Sequence, residues 1–427
     1  MLSDYLRLFS KVFTIVIPYA LTLLRQKISA TVHSYTYHRV PTSQVKTVVV
    51  VGGSFSGIQV VKRLSETLPT GYRVLLLEKN SHLNYLFCFP RFSVVGGKGY
   101  EKYAFIPYDG LAKKAPRGIF ERKQGEVQSV GRREIVLVSG EKIPFEYLIL
   151  ATGTSSSLPS KVLSTNSKGG MTELQGIQER IARAKRIAVV GGGAVGVELA
   201  GDIKDHYGGE KYVTLFHSRG QLLNLFGKRL QEHTMEAFGA LGVTVVLNER
   251  PKLVQEDGEW RIEDKKGEVF DLVIPCTGQR PNSGLLAKLS PSSISQDTSR
   301  ILVKPTLQIT DPALQHIFAI GDVAETGGPR MARAAFVQGE IVVENLLALI
   351  EGKTELKTYK PDFDFEGAIK LTLGKTKTAI YSMDNSGREL LVAMKGKEDM
   401  GVKSQWRFFG ADVKMMEAGD EKTRVVG

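Results

Sequence analysis

Hydrophobic residues along this chain gather in short, nearly unbroken runs that stop at glycine. Val48-Val49-Val50-Val51 runs into Gly52-Gly53-Ser54-Phe55-Ser56-Gly57, and Arg186-Ile187-Ala188-Val189-Val190 runs into Gly191-Gly192-Gly193-Ala194-Val195-Gly196-Val197-Glu198. Runs this apolar and this rich in β-branched side chains predict strands buried on both faces, as in a parallel sheet. A helix is predicted after each turn, from Phe55 to Leu68 and on to about Tyr207. Further strands are predicted at Arg73–Leu77, Tyr147–Leu150, Tyr212–Phe216, Val243–Leu247 and Ile317–Ile320, with helices over Lys228–Leu241 and from about Met331 to Ile350. Strand–turn–helix–strand units in two places give an α/β fold with two Rossmann-like domains. Ile119–Val138 reads as paired strands around Gly131-Arg132-Arg133, and Trp260 to Pro275 as part of a β-meander. Beyond Leu356 a small α+β extension is expected, with strands near Ile369, Ala379 and Leu391.

The N-terminus is patterned differently. Asp4, Arg7, Lys11, Thr14, Pro18, Thr22 and Arg25 recur at steps of three or four, a narrow stripe on a helix that is otherwise apolar. The charge-free stretch Val12–Leu24 is shorter than the roughly 18–20 residues of a membrane span. A helix lying in the membrane interface is the expectation, with Arg and Lys reaching the headgroups. A mitochondrial targeting segment is the second reading, since Asp4 is the sole acidic residue before Glu66. A helix packed on the body of the protein is the third. The expected location is therefore membrane-associated and intracellular, at a mitochondrion or a lipid-facing cytoplasmic membrane.

Composition narrows the classes. The net charge of +12 is spread along the chain without a nucleic-acid motif, so nucleic-acid binding is not expected. Two cysteines, Cys88 and Cys276, exclude a disulfide framework, a Cys-only zinc site and a redox pair at short spacing. No metal is expected.

The chemistry is carried by the turns. In the second unit Gly191, Gly193 and Gly196 complete the dinucleotide fingerprint G-x-G-x-x-G. In the first, Gly52, Gly53 and Gly57 are present but Ser54 stands where the middle glycine belongs, and Glu78 ends the next strand where ribose hydroxyls need an acceptor. His217 ends the corresponding strand of the second unit, followed by Arg219; the missing acid leaves room for a 2′-phosphate and favours NADPH while admitting NADH. Thr152-Gly153, echoed by Thr277-Gly278, and Gly321-Asp322 each close an apolar strand, and a carboxylate at such a strand end can accept hydrogen bonds from cofactor hydroxyls. An aromatic-rich loop, Asn84 to Phe92, carries Arg91 as its one charge, able to pair with a phosphate.

Together, Gly52…Glu78, Ala151-Thr152-Gly153, Gly191 to Glu198 and Ile320-Gly321-Asp322 resemble the two-dinucleotide-domain flavoprotein superfamily. Val213 to Ser218 and Arg330-Met331-Ala332 resemble its apoptosis-inducing-factor-like branch. The resemblance implies FAD as resident cofactor, NADPH or NADH as hydride donor, and an NAD(P)H domain inserted into the FAD domain. The expected layout is residues 1–44 as the N-terminal helix, 45–160 and 296–360 as the FAD domain, 161–295 as the NAD(P)H domain, and 361–427 as the C-terminal α+β domain. It further implies that Gly52, Gly53, Ser54 and Gly57 hold the FAD pyrophosphate, Glu78 its adenosine ribose, Asp322 its ribityl chain and the Val127 backbone its adenine. Arg91 would lie by the phosphates or flavin, and Glu198 at the nicotinamide–flavin contact as the catalytic residue. Without a cysteine pair, electrons would leave the flavin directly, and with a membrane-lying helix a lipophilic quinone is the expected acceptor. A small metabolite or a protein carrier is the alternative acceptor, and a redox-signalling flavoprotein with little turnover is the alternative class. Two departures stand out: Ser54, and Leu2 in place of the glycine that N-myristoylation requires.

Overall fold

Val48 to Val51 lie fully enclosed at the centre of a five-stranded parallel sheet ordered Ile317–Ala319, Tyr147–Leu150, Lys46–Val51, Tyr72–Glu78, Phe120–Gln124. This computed structural model describes residues 2–263 and 269–414. A second, four-stranded parallel sheet is ordered Thr244–Val246, Tyr212–Phe216, Arg186–Val190, Leu272–Pro275. In both, the strand leading to the glycine turn is central, so both its faces must be apolar. The helices among the described residues are α1 (Leu2–Thr36), α2 (Phe55–Ser65), α3 (Phe89–Phe92), α4 (Ser167–Arg183), α5 (Ala194–Tyr207), α6 (Lys228–Leu241), α7 (Ala332–Ile350), α8 (Phe363–Glu366) and α9 (Val402–Phe408).

The α/β expectation holds, with local differences. Phe120–Gln124 does not join the hairpin that follows; it pairs parallel with Tyr72–Glu78 and forms the sheet edge, where Glu121 and Lys123 face water. Charged side chains are a normal guard on an exposed edge, and they hide the strand's apolar alternation. Leu272–Pro275 likewise joins the parallel sheet, while Glu259–Ile262 pairs with Leu253–Glu256. Part of the expected meander between them lies outside the described residues, as does the end of the extension beyond 414.

The C-terminal part is an antiparallel meander, Ile369–Thr372, Lys377–Met383 and Glu389–Lys395. Leu371, Leu373, Ala379 and Tyr381 pack into the core of the second sheet. Val402, Trp406 and Phe409 of the α9 segment pack instead into the core of the first, where the Trp406 indole N–H donates to the Tyr103 carbonyl at 2.9 Å. One short segment thus ties both sheets together.

Helix α1 ends at Thr36, within the expected N-terminal segment, and leaves an apolar face exposed. It is fixed to the body at both ends. Arg229 of α6 donates to Asp4 at 3.0 and 3.2 Å, Gln26 donates to Glu340 of α7 at 3.0 Å, and a His33 ring nitrogen meets the Leu68 carbonyl at 2.8 Å. Away from the body stand Phe9, Phe13, Ile17, Leu21, Leu24, Ile28, Val32 and Tyr35, from 50% exposed at Ile17 to 80% at Tyr35. Their steps of three and four make one continuous ridge. A helix of a globular protein normally turns such a ridge inward. Of the expected polar stripe, Pro18, Thr22 and Arg25 are exposed as well, so this part of the helix stands clear of the body on all sides, and the side chains of Arg7, Lys11 and Thr14 lie outside the described set. Among the described residues no helix is long and apolar enough to cross a membrane.

Candidate active site

The two glycine turns have the same geometry. Gly52 has φ +106° and Gly191 φ +128°, a backbone that side chains rarely allow. A Cβ on Gly57 would strike the Gly52 carbonyl oxygen, and one on Gly196 the Gly191 carbonyl oxygen. The third glycine therefore lets each helix start against its own strand. Ser54 is the N-cap of α2 and Gly193 that of α5, and neither helix has a side-chain cap. The first-turn N–H groups, with the positive end of the helix dipole, are free for a pyrophosphate. Ser54 sits in extended backbone (φ −102°), so serine meets no conformational obstacle there.

Strand-end residues bind these turns in matching ways. The Gly53 N–H donates to Glu78 at 2.5 Å and the Asn80 N–H donates to the other carboxylate oxygen at 2.8 Å. Burial pushes the Glu78 carboxyl up, and the two backbone bonds oppose it. In the second unit the Gly192 N–H donates to Nδ1 of His217 at 3.1 Å. His217 occupies the place of Glu78, and burial lowers its pKa, with Arg219 adding to the effect, which favours the neutral ring. Arg219 itself is exposed.

The turns closing the other strands converge on the first loop and on the seam between the sheets. A Cβ on Gly52 would strike the Ala151 carbonyl, and one on Gly321 would strike the Ser56 hydroxyl, so Thr152-Gly153 and Gly321-Asp322 both abut the first loop. The Gly321 N–H donates to Gln338 of α7 at 2.9 Å, and a narrow cleft beside it is lined by Asp322, Arg330, Met331 and Ala334. Thr152 donates to the Asn282 carbonyl at 2.9 Å, Asn282 donates back at 2.8 Å, and Thr154–Ser155 pairs with Arg280–Pro281. Lys161, mostly buried, donates to the Thr154 carbonyl and hydroxyl. Burial lowers its pKa, while Asp322 pulls it back up. Lys161 lies in a stretch that reads as a linker, and Asn282 follows Thr277-Gly278 at a distance no simple period marks; neither was anticipated. Val127 pairs with Leu137 on a separate small sheet packed against the first core.

Arg91 lies at a contact between separate parts of the chain. Its guanidinium is 2.8 Å from Asp202 of α5, and the two side chains are 1% and 0% exposed. Its terminal N–H groups also donate to the carbonyls of Gly374, Lys375 and Glu398, while its Nε–H is buried without a partner among the described residues. The two terminal nitrogens are thus committed to a contact between parts of the protein. Glu198 accepts from the Thr372 N–H at 3.0 Å and hydroxyl at 3.1 Å. Burial pushes its carboxyl up to about 7, against the Thr372 bonds and Arg91 and with help from Asp202.

Above the first loop, Phe55 at the start of α2 is ringed by Tyr85, Phe87, Phe336 and Phe409, with centroids 5.2 to 6.3 Å away. Phe408 extends the cluster through Phe409 at 5.0 Å. Phe87 (48% exposed) and Phe408 (65%) open it to the outside. Phe336 lies one turn of α7 from Glu340, where α1 is fixed. The thiols stand apart: Cys88 is buried in the first core, Cys276 touches the second loop, and burial raises both pKa values, Cys276 to about 12. Among the described residues no group of His, Cys, Asp or Glu could hold a metal ion.

The comparisons agree with this architecture. Residues 46–339 match the pyridine nucleotide-disulphide oxidoreductase family. Fe-regulated protein 8 of Mycosarcoma maydis is 34% identical over 396 residues, covering 86% of this chain and 95% of the relative. Ferroptosis suppressor protein 1 of Taeniopygia guttata is 30% identical over 379 residues, covering 85% and 95%. Among solved structures, the sulfide:quinone oxidoreductase of Aquifex aeolicus superposes with a TM-score of 0.67 at 17% identity, covering 85% of this chain and 90% of that one, which speaks to the fold. The chain belongs to the pyridine nucleotide-disulphide oxidoreductase family, in its apoptosis-inducing-factor-like branch, and is an oxidoreductase that works with FAD and NAD(P)H.

Proposed function

We propose that this protein passes electrons from NAD(P)H through FAD to a lipophilic quinone at a membrane surface. The observation that carries the reading is the aromatic cluster around Phe55, which joins the first glycine turn to the outside one turn of α7 from Glu340, where α1 is held. Flat rings at packing distance suit a quinone head group, and the exposed apolar face of α1 suits a lipid interface. The overall reaction balances as NAD(P)H + H⁺ + quinone → NAD(P)⁺ + quinol. When bound, FAD accepts the hydride and can release electrons singly or in pairs.

The residues fit that cofactor. Gly52, Gly53, Ser54 and Gly57 would cradle its pyrophosphate on the α2 N-terminus, Glu78 its ribose, Asp322 its ribityl hydroxyls and Val127 its adenine, with Thr152 and Gly153 closing the site. Gly191, Gly193 and Gly196 would hold NAD(P)H, with His217 and Arg219 at its adenosine end and Glu198 near the reacting ring. The relatives named as ferroptosis suppressor and the structural neighbour named as a sulfide:quinone oxidoreductase support a quinone acceptor. So does the separation of Cys88 from Cys276, which rules out a relay through a cysteine pair.

The test is steady-state NAD(P)H oxidation by FAD-loaded protein with a soluble quinone. A quinone-dependent rate well above the oxygen background is expected; none would overturn the acceptor.

A further inference from the structure

Helix α5 carries Glu198, Asp202 and Asp205 at spacings of four and three, one acidic file on one face. That file is covered by two other parts of the chain. From the C-terminal meander, Thr372 gives both donors to Glu198, and the Lys375 N–H donates to Asp205 at 2.5 Å. The turn comes this close because residue 374 is glycine: its φ is +87°, and a Cβ there would stand 2.9 Å from the Asp205 carboxylate. From α3, Arg91 reaches Asp202 and also donates to the Gly374 carbonyl at 2.7 Å. Three separate parts of the chain therefore meet on the helix whose N-terminus forms the second dinucleotide turn.

We propose that Thr372 and the buried Arg91–Asp202 pair are positioning residues for Glu198, so that the C-terminal meander completes the hydride-transfer site. Among the described residues the donors to the Glu198 carboxyl come from the meander, a backbone and a hydroxyl donor of Thr372 that fix one oxygen. Asp202, fully buried, lies one turn further along α5, and Arg91 compensates its charge there. The charged groups facing this spot are Asp202 and Asp205 from α5, Arg91 from α3, Lys375 from the meander and, from the segment after it, Glu398, whose carboxylate pairs with Lys98. The directions follow from geometry. The Thr372 hydroxyl stabilises ionised Glu198, whereas the Asp202 charge opposes it.

The inference rests on Glu198 standing at the nicotinamide–flavin contact but not on quinone as acceptor. The test is an infrared titration of ¹³C-glutamate-labelled full-length protein, with and without FAD, with Glu198→Gln assigning the carboxyl band. Thr372→Val should raise the Glu198 midpoint by about one pH unit and Thr372→Ser should restore it. Asp202→Asn should lower it, since it removes a negative neighbour and leaves Arg91 unbalanced. The pH profile of flavin reduction by NAD(P)H, measured without quinone, should move in the same directions. A midpoint unmoved by Thr372→Val, or one moved equally by Thr372→Ser, overturns the proposal even if Asp202→Asn does not fold. Lack of quinone turnover with these shifts intact would overturn only the acceptor.

Discussion

The ridge on α1 gives the most direct test of membrane attachment. Leu21 and Leu24 are 52% and 55% exposed, next to Ile17 and Ile28 on the same face. Fully burying a leucine is worth roughly 1.5–3 kcal/mol, so transferring the exposed half of each into the acyl boundary contributes about 1 kcal/mol. Leu21→Asp with Leu24→Asp removes about 2 kcal/mol and sets two carboxylates against the lipid, which predicts at least about 30-fold weaker partitioning. Folding should change little, because both side chains are exposed and the lower helix propensity of Asp costs only a few tenths of a kcal/mol each. Flotation with phospholipid vesicles, alongside thermal melts of both proteins, separates the two effects. Unchanged flotation with an unchanged melt would refute the ridge as a lipid contact.

Replacing His217 with Glu should shift preference toward NADH by roughly tenfold in kcat/KM, since a carboxylate there accepts the Gly192 N–H and ribose hydroxyls but repels a 2′-phosphate; an unchanged NADPH/NADH ratio would contradict the strand-end reading. Ser54→Gly should tighten FAD retention only slightly, because Ser54 already lies in extended backbone with its side chain off the helix cap; fluorescence of released flavin on dialysis measures it. The raised pKa values of Glu198 (about 7) and Asp202 (about 6) mean that the folded protein holds more protons than the unfolded chain above pH 4.5. Their contribution to stability is therefore greatest in acid and is lost as pH rises toward 7. Glu198→Gln should flatten the fall in Tm over that window, and a slope equal to wild type would count against the buried carboxyl.

Much of the site was readable in the sequence because its signals are local. A glycine turn needs its residues within one strand–helix junction, and Glu78 and His217 lie one helix and one strand further on, so spacing alone identifies them. The partners of Arg91 were hidden for the opposite reason: Asp202 and the carbonyl acceptors lie more than a hundred residues away, and a lone arginine in an aromatic loop gives no hint of them. Thr372 and Asn282 are hidden the same way. The parallel pairing of Phe120–Gln124 escaped because an edge strand wears charges and carries no apolar pattern that points to the sheet. The amphipathic character of α1 was legible, but its outward mounting depends on Asp4, Gln26 and His33 finding partners on the body.

The two turns differ in a way that bears on which nucleotide stays. Gly53 is roofed: the Tyr108 hydroxyl donates to its carbonyl at 2.5 Å, Glu78 takes its N–H, and the residue is buried. Its counterpart Gly192 is buried as well, with its N–H on His217 and its carbonyl accepting from the Leu223 N–H. The difference lies one residue on, where Gly193 is exposed with nothing within 4 Å of where a Cβ would stand and Ser54 is half-buried. A pyrophosphate on the first turn would sit among buried partners, with a carboxylate holding the ribose. One on the second would lie against an exposed N-cap, with a neutral imidazole in the carboxylate's place. Dissociation from a covered site requires local opening, whereas an exposed site exchanges ligand without it. The same backbone motif thus suits a resident cofactor in one copy and a passing hydride donor in the other. The side chains contributed by Glu78, Tyr108 and His217 make that difference.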